Sequence, residues 1–525
     1  MDARTFNIKI STQHRTLVDV REYSTPPGKL TVLFGESGIG KSLIARALYG
    51  ILDPEEFHVE INGEEYETYL RKEETQERRK NGFYVFQEPS SHLNPLLPLG
   101  IQLREGDLSQ ASGNSEIMKE LWNTKVEREI DDILSVYPKS YRPSGGEKQR
   151  LFLTMALTKI DIVVTNNRSA NSALFVFDEP TGSLDNYFRD VFLKLLFERF
   201  ANHRFTVLLI THDYSMVSEI TGRYRSLLPA ISFKELRRQK NRVVLNDFKP
   251  EVYLDWLGEQ KKNVPSMRGK SQQKLLLKVE SGSEAFGRQL IISRDRDGRE
   301  VIPLEVFSGA MTYLKAPSGT GKTSLVKMVM GLIRGDKLRA TLSSADGEHA
   351  DGAHVQRVLH ISERTPRHVW QTHIWGRKMT MAFQHADEAL NLKSTVEETF
   401  YGLPAKQKVT ASEIRQTLGE LFDDELNDNF LKREVSALSG GQKQRLNLLR
   451  CLFLHTDILI LDEPLNGLDF ESATKVLAML GKKLQSGIGI LLISHNEEIF
   501  DAMIPKEQVY YLQAKKLYKT DLSTK

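Results

Sequence analysis

Short uninterrupted apolar runs punctuate the chain. LTVLF (30–34), ALFVF (173–177) and VLLIT (207–211) occur in the first half, and MTYLK (311–315), ILIL (458–461) and ILLIS (490–494) in the second. Four or five apolar residues are strand-sized, and a continuous run marks a strand buried on both faces, as in a parallel sheet. Two of these runs lead through small residues into helix-compatible sequence, which predicts an α/β fold. PEVYLDWL (250–257) reads as a short helix packed on a domain, and the polar, turn-rich TNNRSANS (165–172) as a surface loop inserted just before a strand. The longest runs, such as 488–493, fall far short of the roughly 18–20 residues needed to cross a bilayer.

The chain also repeats itself. GESGIGKS (35–42) recurs as APSGTGKT (316–323), SGGEKQR (144–150) as SGGQKQR (439–445), FDEP (177–180) as LDEP (461–464), and THD (211–213) as SHN (494–496). Four motifs in one order, at a nearly constant offset of about 280–295 residues, identify two homologous domains in tandem. The expected limits are 1–230 and 275–525, with a connector at 231–274.

Charge changes the picture only locally. The 525 residues carry 72 Lys+Arg against 69 Asp+Glu, a net +3, too balanced to call for nucleic acid or a membrane surface as a partner. Between Lys234 and Lys278, however, twelve basic residues stand against five acidic ones. That stretch reads either as a solvated connector or as a docking surface for an acidic partner or lipid headgroups. Cys451 is the single cysteine, which excludes an internal disulfide and cysteine-rich metal sites and suits a reducing compartment. The N-terminal MDARTFNIKIST lacks an apolar core, so no secretory signal is expected and the chain is cytosolic in type.

Each lysine motif fits GxxxxGK[ST] between a strand and a helix, the context of a phosphate-binding P-loop. Gly35, Glu36, Ser37, Gly38, Ile39, Gly40, Lys41 and Ser42 form the first, and Ala316, Pro317, Ser318, Gly319, Thr320, Gly321, Lys322 and Thr323 the second. Small residues let backbone N–H groups curl around the phosphates of ATP, with Lys41 and Lys322 reaching the β- and γ-phosphates and Ser42 and Thr323 ligating Mg²⁺. Acidic pairs close two of the apolar runs. Asp178 and Asp462 are candidates for the Mg²⁺ hydration shell, and Glu179 and Glu463 for polarising the attacking water. His212 and His495 follow at strand ends and suit a γ-phosphate contact.

This set of motifs resembles the ATP-binding-cassette (ABC) ATPases over nearly all of both halves. The SGG[QE]xQR motif is the discriminating element. The resemblance implies two tandem RecA-like P-loop domains, each with an α-helical and an antiparallel β subdomain. It also implies head-to-tail pairing, so that Ser439, Gly440, Gly441 and Gln442 face the first P-loop and Ser144, Gly145, Gly146 and Glu147 the second. Gln87 and Gln384 would sense Mg²⁺ and the γ-phosphate. Ala316, Pro143 and Glu147 depart from the family pattern without removing a base, a magnesium ligand or a lysine, so both sites are expected to hydrolyse ATP, with their relative rates left open. His14 and Phe286 lie where an adenine-stacking side chain would stand. FQEPSSHLNPLLPLG (86–100) resembles the ATPases of oligopeptide, dipeptide and nickel importers, and Leu390 and Asn391 repeat the spacing of Leu93 and Asn94. An importer would add two transmembrane permease subunits and, indirectly, a solute-binding protein, placing the chain at the inner face of the membrane; no nucleic acid is expected. The alternative is a cassette ATPase that remodels a soluble complex. A tandem translation factor is disfavoured, because EPTGSLD (179–185) and EPLNGLD (463–469) stand where those proteins carry EPTNHLD.

Overall fold

The computed structural model describes residues 5–13, 15–105, 108, 114–124, 126–138, 143–165, 173–182, 184, 186–239, 242–262, 274–283, 302–316, 320–334, 336–343, 358–404, 409–423, 425–513 and 516–519. Pro317, Ser318 and Gly319, the candidate adenine partners His14 and Phe286, and 166–172 of the polar insertion lie outside the described residues. The chain divides into two units, Met1–Tyr253 and Leu254–Lys525.

In the first unit, β1 (Thr5–Ser11), β2 (Thr16–Ser24), β4 (His58–Ile61) and β5 (Glu64–Glu65) form an antiparallel sheet ordered β2-β1-β4-β5. Phe6, Ile8 and Ile10 alternate inward along β1, the pattern of a sheet with one solvated face. The second sheet, ordered β10-β9-β3-β8-β7-β6, contains β3 (Leu30–Gly35), β6 (Phe83–Val85), β7 (Leu174–Asp178), β8 (Thr206–Ile210), β9 (Ile231–Gln239) and β10 (Arg242–Asp247). Every residue of β3, β7 and β8 is buried, as their continuous apolar runs predict. Helices Asn114–Trp122, Glu127–Leu134 and Gly145–Thr165 supply the helical part.

The second unit repeats the plan. β11 (Leu275–Ser283), β12 (Leu304–Phe307), β14 (Asp336–Ser343) and β15 (Val358–Ser362) make the antiparallel sheet β12-β11-β14-β15. The order β16-β17-β18-β13-β19-β20 joins β13 (Met311–Lys315), β16 (Met379–Ala382), β17 (Ile458–Asp462), β18 (Gly489–Ile493), β19 (Val509–Gln513) and β20 (Lys516–Tyr518). Its helices include Ala411–Phe422 and Gly440–Phe453.

The basic stretch differs from the expected connector. Residues 231–247 are β9 and β10, and β9 pairs in parallel with the P-loop strand β3 from Leu30↔Ile231 to Gly35↔Leu236. Phe34 stacks on Tyr214 at 4.7 Å and packs against Phe248 at 5.3 Å, so apolar residues hidden among the charges anchor the segment. The predicted helix around 250–257 is present as Pro250–Lys262, and 263–273 lie outside the described residues.

A solvated connector would tolerate truncation at Leu236, whereas this buried position will not. Leu236→Ala should destabilise the first unit by about 2–4 kcal/mol in urea unfolding. Lys261→Ala, on the exposed end of the following helix, should stay within about 0.5 kcal/mol.

Candidate ATP sites

Both P-loops connect the central strand of the six-stranded sheet to a helix, Lys41–Tyr49 in the first unit and Lys322–Val329 in the second. The N-caps Gly40 (φ 114°) and Gly321 (φ 99°) take left-handed backbone that a side chain would resist, and a Cβ on Gly40 would lie 2.4 Å from Val18 Cγ2. At the other end of the first helix, Tyr66 and Tyr69 hydroxyls donate to Ala47 and Leu48 carbonyls at 3.3 and 2.8 Å. In the second unit the Trp375 indole N–H donates to Met330 O at 2.8 Å. These bonds satisfy carbonyls near the helix ends and seat each helix on its domain.

The departure at Ala316 has a structural counterpart. Gly35 (φ 146°) remains in β3 opposite Leu236, and a Cβ there would meet Leu236 O at 2.7 Å. In the second unit the equivalent ladder stops one residue earlier, at Lys315↔Tyr511, and Ala316 packs against the core. A methyl is therefore accommodated where the first unit requires glycine.

The lysines lie folded onto their own loops. Lys41 Nζ donates to Gly35 O at 2.6 Å and Glu36 O at 3.1 Å, and lies 3.8 Å from Glu179. Lys322 Nζ donates to Ala316 O. Phosphate oxygens would have to replace these carbonyls.

The acidic pairs end β7 and β17, each fully buried along its length. Glu179 (φ 50°) and Glu463 (φ 53°) both adopt left-handed backbone, costly for a residue with a side chain. Each N–H is held by the neighbouring strand, Glu179 by Ile210 O at 3.0 Å and Glu463 by Ile493 O at 2.9 Å. The same strained position in both halves turns each glutamate out of its strand toward the P-loop lysine.

The partners of the two glutamates differ. Burial pushes the Glu179 carboxyl up, but His212, paired to it through Nδ1, and Lys41 outweigh that and hold it below the ordinary range. Burial likewise favours neutral His212, and Glu179 reverses the effect, raising the imidazole. Burial instead dominates at Glu463, pushing its carboxyl up to about 7 despite the His495 N–H, Lys322 and the Ser494 hydroxyl. The His495 N–H and Ser494 Oγ donate to Glu463 Oε2 at 3.0 and 3.2 Å, while His495 Nε2 stands 3.6 Å from Oε1.

The magnesium candidates show a second difference. Asp178 accepts from Ser42 Oγ at 2.9 Å on Oδ1 and from Tyr84 Oη at 2.9 Å on Oδ2. Thr323 lies close beside Asp462 and favours its charged form, yet no hydrogen bond of good geometry reaches either of its buried carboxylate oxygens. Buried anionic oxygens left this way fit a cation, so the residues present suit Mg²⁺. Gln87 is exposed just past β6, and Gln384 half-buried just past β16.

The SGG motifs begin the helices Gly145–Thr165 and Gly440–Phe453. Ser439 and Gln442 form a reciprocal capping box, with Ser439 N–H donating to Gln442 Oε1 at 2.9 Å and Gln442 N–H to Ser439 Oγ at 3.2 Å. Glu147 takes the corresponding part with Ser144 at 2.7 and 3.3 Å, since a glutamate closes such a box as well as a glutamine. Tyr84 is the site residue that motif reading missed; its only signal was a phenol three residues before Gln87.

With this geometry in hand, the chain belongs to the ABC transporter family, whose sequence model matches residues 19–182 and 300–466. It is an ABC-type, ATP-binding ATPase. It is 26% identical to the ABC transporter ATP-binding protein YejF of Escherichia coli K12, covering 95% of this chain and 91% of that one. The peptidoglycan transport ATP-binding protein YejF of Agrobacterium fabrum is 25% identical, covering 93% and 86%. The glutathione import ATP-binding protein GsiA of E. coli K12 is 24% identical, covering 96% and 84%. Among solved structures the RNase-L Inhibitor superposes with a TM-score of 0.61 over 97% of this chain and 89% of that one, at 16% identity, a likeness of fold.

The two glutamates should respond oppositely to neutralisation in the nucleotide-free chain. A depressed carboxyl stabilises the fold above its unfolded value, and that stability is lost as pH falls through the folded one. Glu179→Gln should therefore lower the first unit's melting midpoint at pH 7. A raised carboxyl destabilises the fold fully above about 7 and not at all below its unfolded 4.5. Glu463→Gln should raise the second unit's midpoint by about 2–6 °C at pH 8, and calorimetry at pH 5 should show the gain shrinking.

Proposed function

We propose that this chain is the ATP-hydrolysing subunit of a membrane importer, with two ATP sites. It acts through two separate permease subunits, and through them serves a solute-binding protein, with a cargo of the peptide, nickel or metallophore type. The observation that carries this reading is end-to-end likeness to ATP-binding proteins named for glutathione import and peptidoglycan transport. Two surfaces support it. After Gln87, Leu96 is 80% exposed and Ile101 50% exposed, apolar side chains that a permease helix could cover. Beside Gln384 lies an apolar groove of about 340 Å³ lined by Met379, Phe383, Leu403 and Pro404. Such a chain sits peripherally on the inner face of the membrane.

In each site the P-loop backbone and its lysine, Lys41 or Lys322, bind the ATP phosphates. Ser42, Gln87 and Asp178, and Thr323, Gln384 and Asp462, would hold Mg²⁺, which when bound neutralises phosphate charge. Glu179 and Glu463 accept a proton from the attacking water, and the products are ADP and phosphate. His212 and His495 orient the glutamate and contact the γ-phosphate.

Glu179→Gln and Glu463→Gln should each lower steady-state ATP hydrolysis, and the double variant should fall about 100-fold or more. An unchanged rate in either single variant would refute a second working site. Purification from solubilised membranes should recover two polytopic subunits, and Leu96→Asp should weaken that recovery. Recovery of a soluble complex alone would replace this reading with the remodelling ATPase.

A further inference from the structure

The two halves place different side chains beside the strand-end aspartate. In β6, Tyr84 pairs with Val176 of β7, two residues before Asp178. In β16, Met381 pairs with Ile460 of β17, two residues before Asp462. Each also stands three residues before its glutamine, Gln87 or Gln384, so Tyr84 and Met381 are structural counterparts.

Their chemistry is not equivalent. Tyr84 is buried, its ring packed on Tyr49 at 5.6 Å and Phe86 at 4.7 Å, with its hydroxyl 2.9 Å from Asp178 Oδ2. Ser42 Oγ holds the other oxygen at 2.9 Å. With a donor on each oxygen, the carboxylate is fixed before any metal arrives and keeps lone pairs for one. A methionine thioether cannot donate, so Asp462 has the Thr323 hydroxyl beside it but no phenol, and neither of its buried oxygens is held in a hydrogen bond of good geometry.

We propose that Tyr84 is a positioning residue that pre-orients Asp178 for Mg²⁺ at the first ATP site, and that the second site, with Met381, lacks this device. The proposal rests on the reading of Asp178 and Asp462 as magnesium-site residues. A fixed ligand binds metal without losing rotamer freedom at that moment, so the first site requires less free Mg²⁺ to close on nucleotide. Satisfying a buried phenol could stabilise the domain by itself, so the test must read metal dependence and not stability alone.

The full chain is titrated with Mg²⁺ while binding of a non-hydrolysable fluorescent ATP analogue is followed. Lys322→Ala isolates the first site and Lys41→Ala the second. In the first-site background, Tyr84→Phe should raise the Mg²⁺ midpoint about three- to tenfold, the scale of one typical net hydrogen bond. Analogue affinity in EDTA should change less than twofold, and the midpoint in the second-site background should not move. Tyr84→Met, which installs the second half's residue, should give the same shift if the phenylalanine variant folds poorly. An unmoved midpoint, an equal shift in both backgrounds, or an equal loss in EDTA overturns the proposal. Failure of the ATP-site reading itself would show differently, as no binding of the analogue by the unsubstituted chain.

Discussion

The cost of burying a carboxylate shapes both halves of this protein. An apolar strand running into an Asp–Glu pair carries two anions to the edge of a low-dielectric sheet, where each must be hydrogen-bonded, paired or neutralised. The surrounding elements meet that requirement. The P-loop brings up a lysine and a hydroxyl, and the neighbouring strand fixes the glutamate N–H in an otherwise unfavourable left-handed turn. The loop after that strand supplies a histidine. The arrangement that makes these acids tolerable also gathers donors, cations and a base where a phosphate can enter.

The halves meet the requirement to different degrees. In the first, Asp178 has a donor on each oxygen and Glu179 sits between Lys41 and His212, so its charge is compensated within the domain. In the second, Asp462 has the Thr323 hydroxyl beside it but Met381 in place of the phenol, and Glu463 is drawn toward neutrality. The sequence departures at Ala316 and Glu147 are absorbed locally, one by a ladder that ends a residue sooner and the other by a capping box that accepts glutamate. The physical inequality between the sites lies instead at Tyr84 and Met381, and at the histidine side chains.

Much of the fold was legible because continuous apolar runs have few alternatives to burial on both faces. β3, β7, β8, β13, β17 and β18 stand where the runs predicted strands. The antiparallel sheets leave no such continuous runs, and only the family resemblance implied them. In β9, Phe233 and Leu236 are hidden among Lys234, Arg237 and Arg238, so composition suggested a connector where the chain pairs with the P-loop strand. The P-loop lysines, strand-end acids and histidines were readable because their spacing repeats.

Two copies of one domain, and the residue types at the ends of their buried strands, can be read from the amino-acid order alone. Those properties are local: a run of apolar residues and a motif of fixed spacing carry them without reference to the rest of the chain. Which donor reaches which oxygen depends instead on how distant strands pair. Tyr84 and Asp178 are 94 residues apart, and they meet because β6 pairs with β7 in one register. Register is set by the packing of both sheet faces together, and a shift of one residue would turn the phenol to the opposite face.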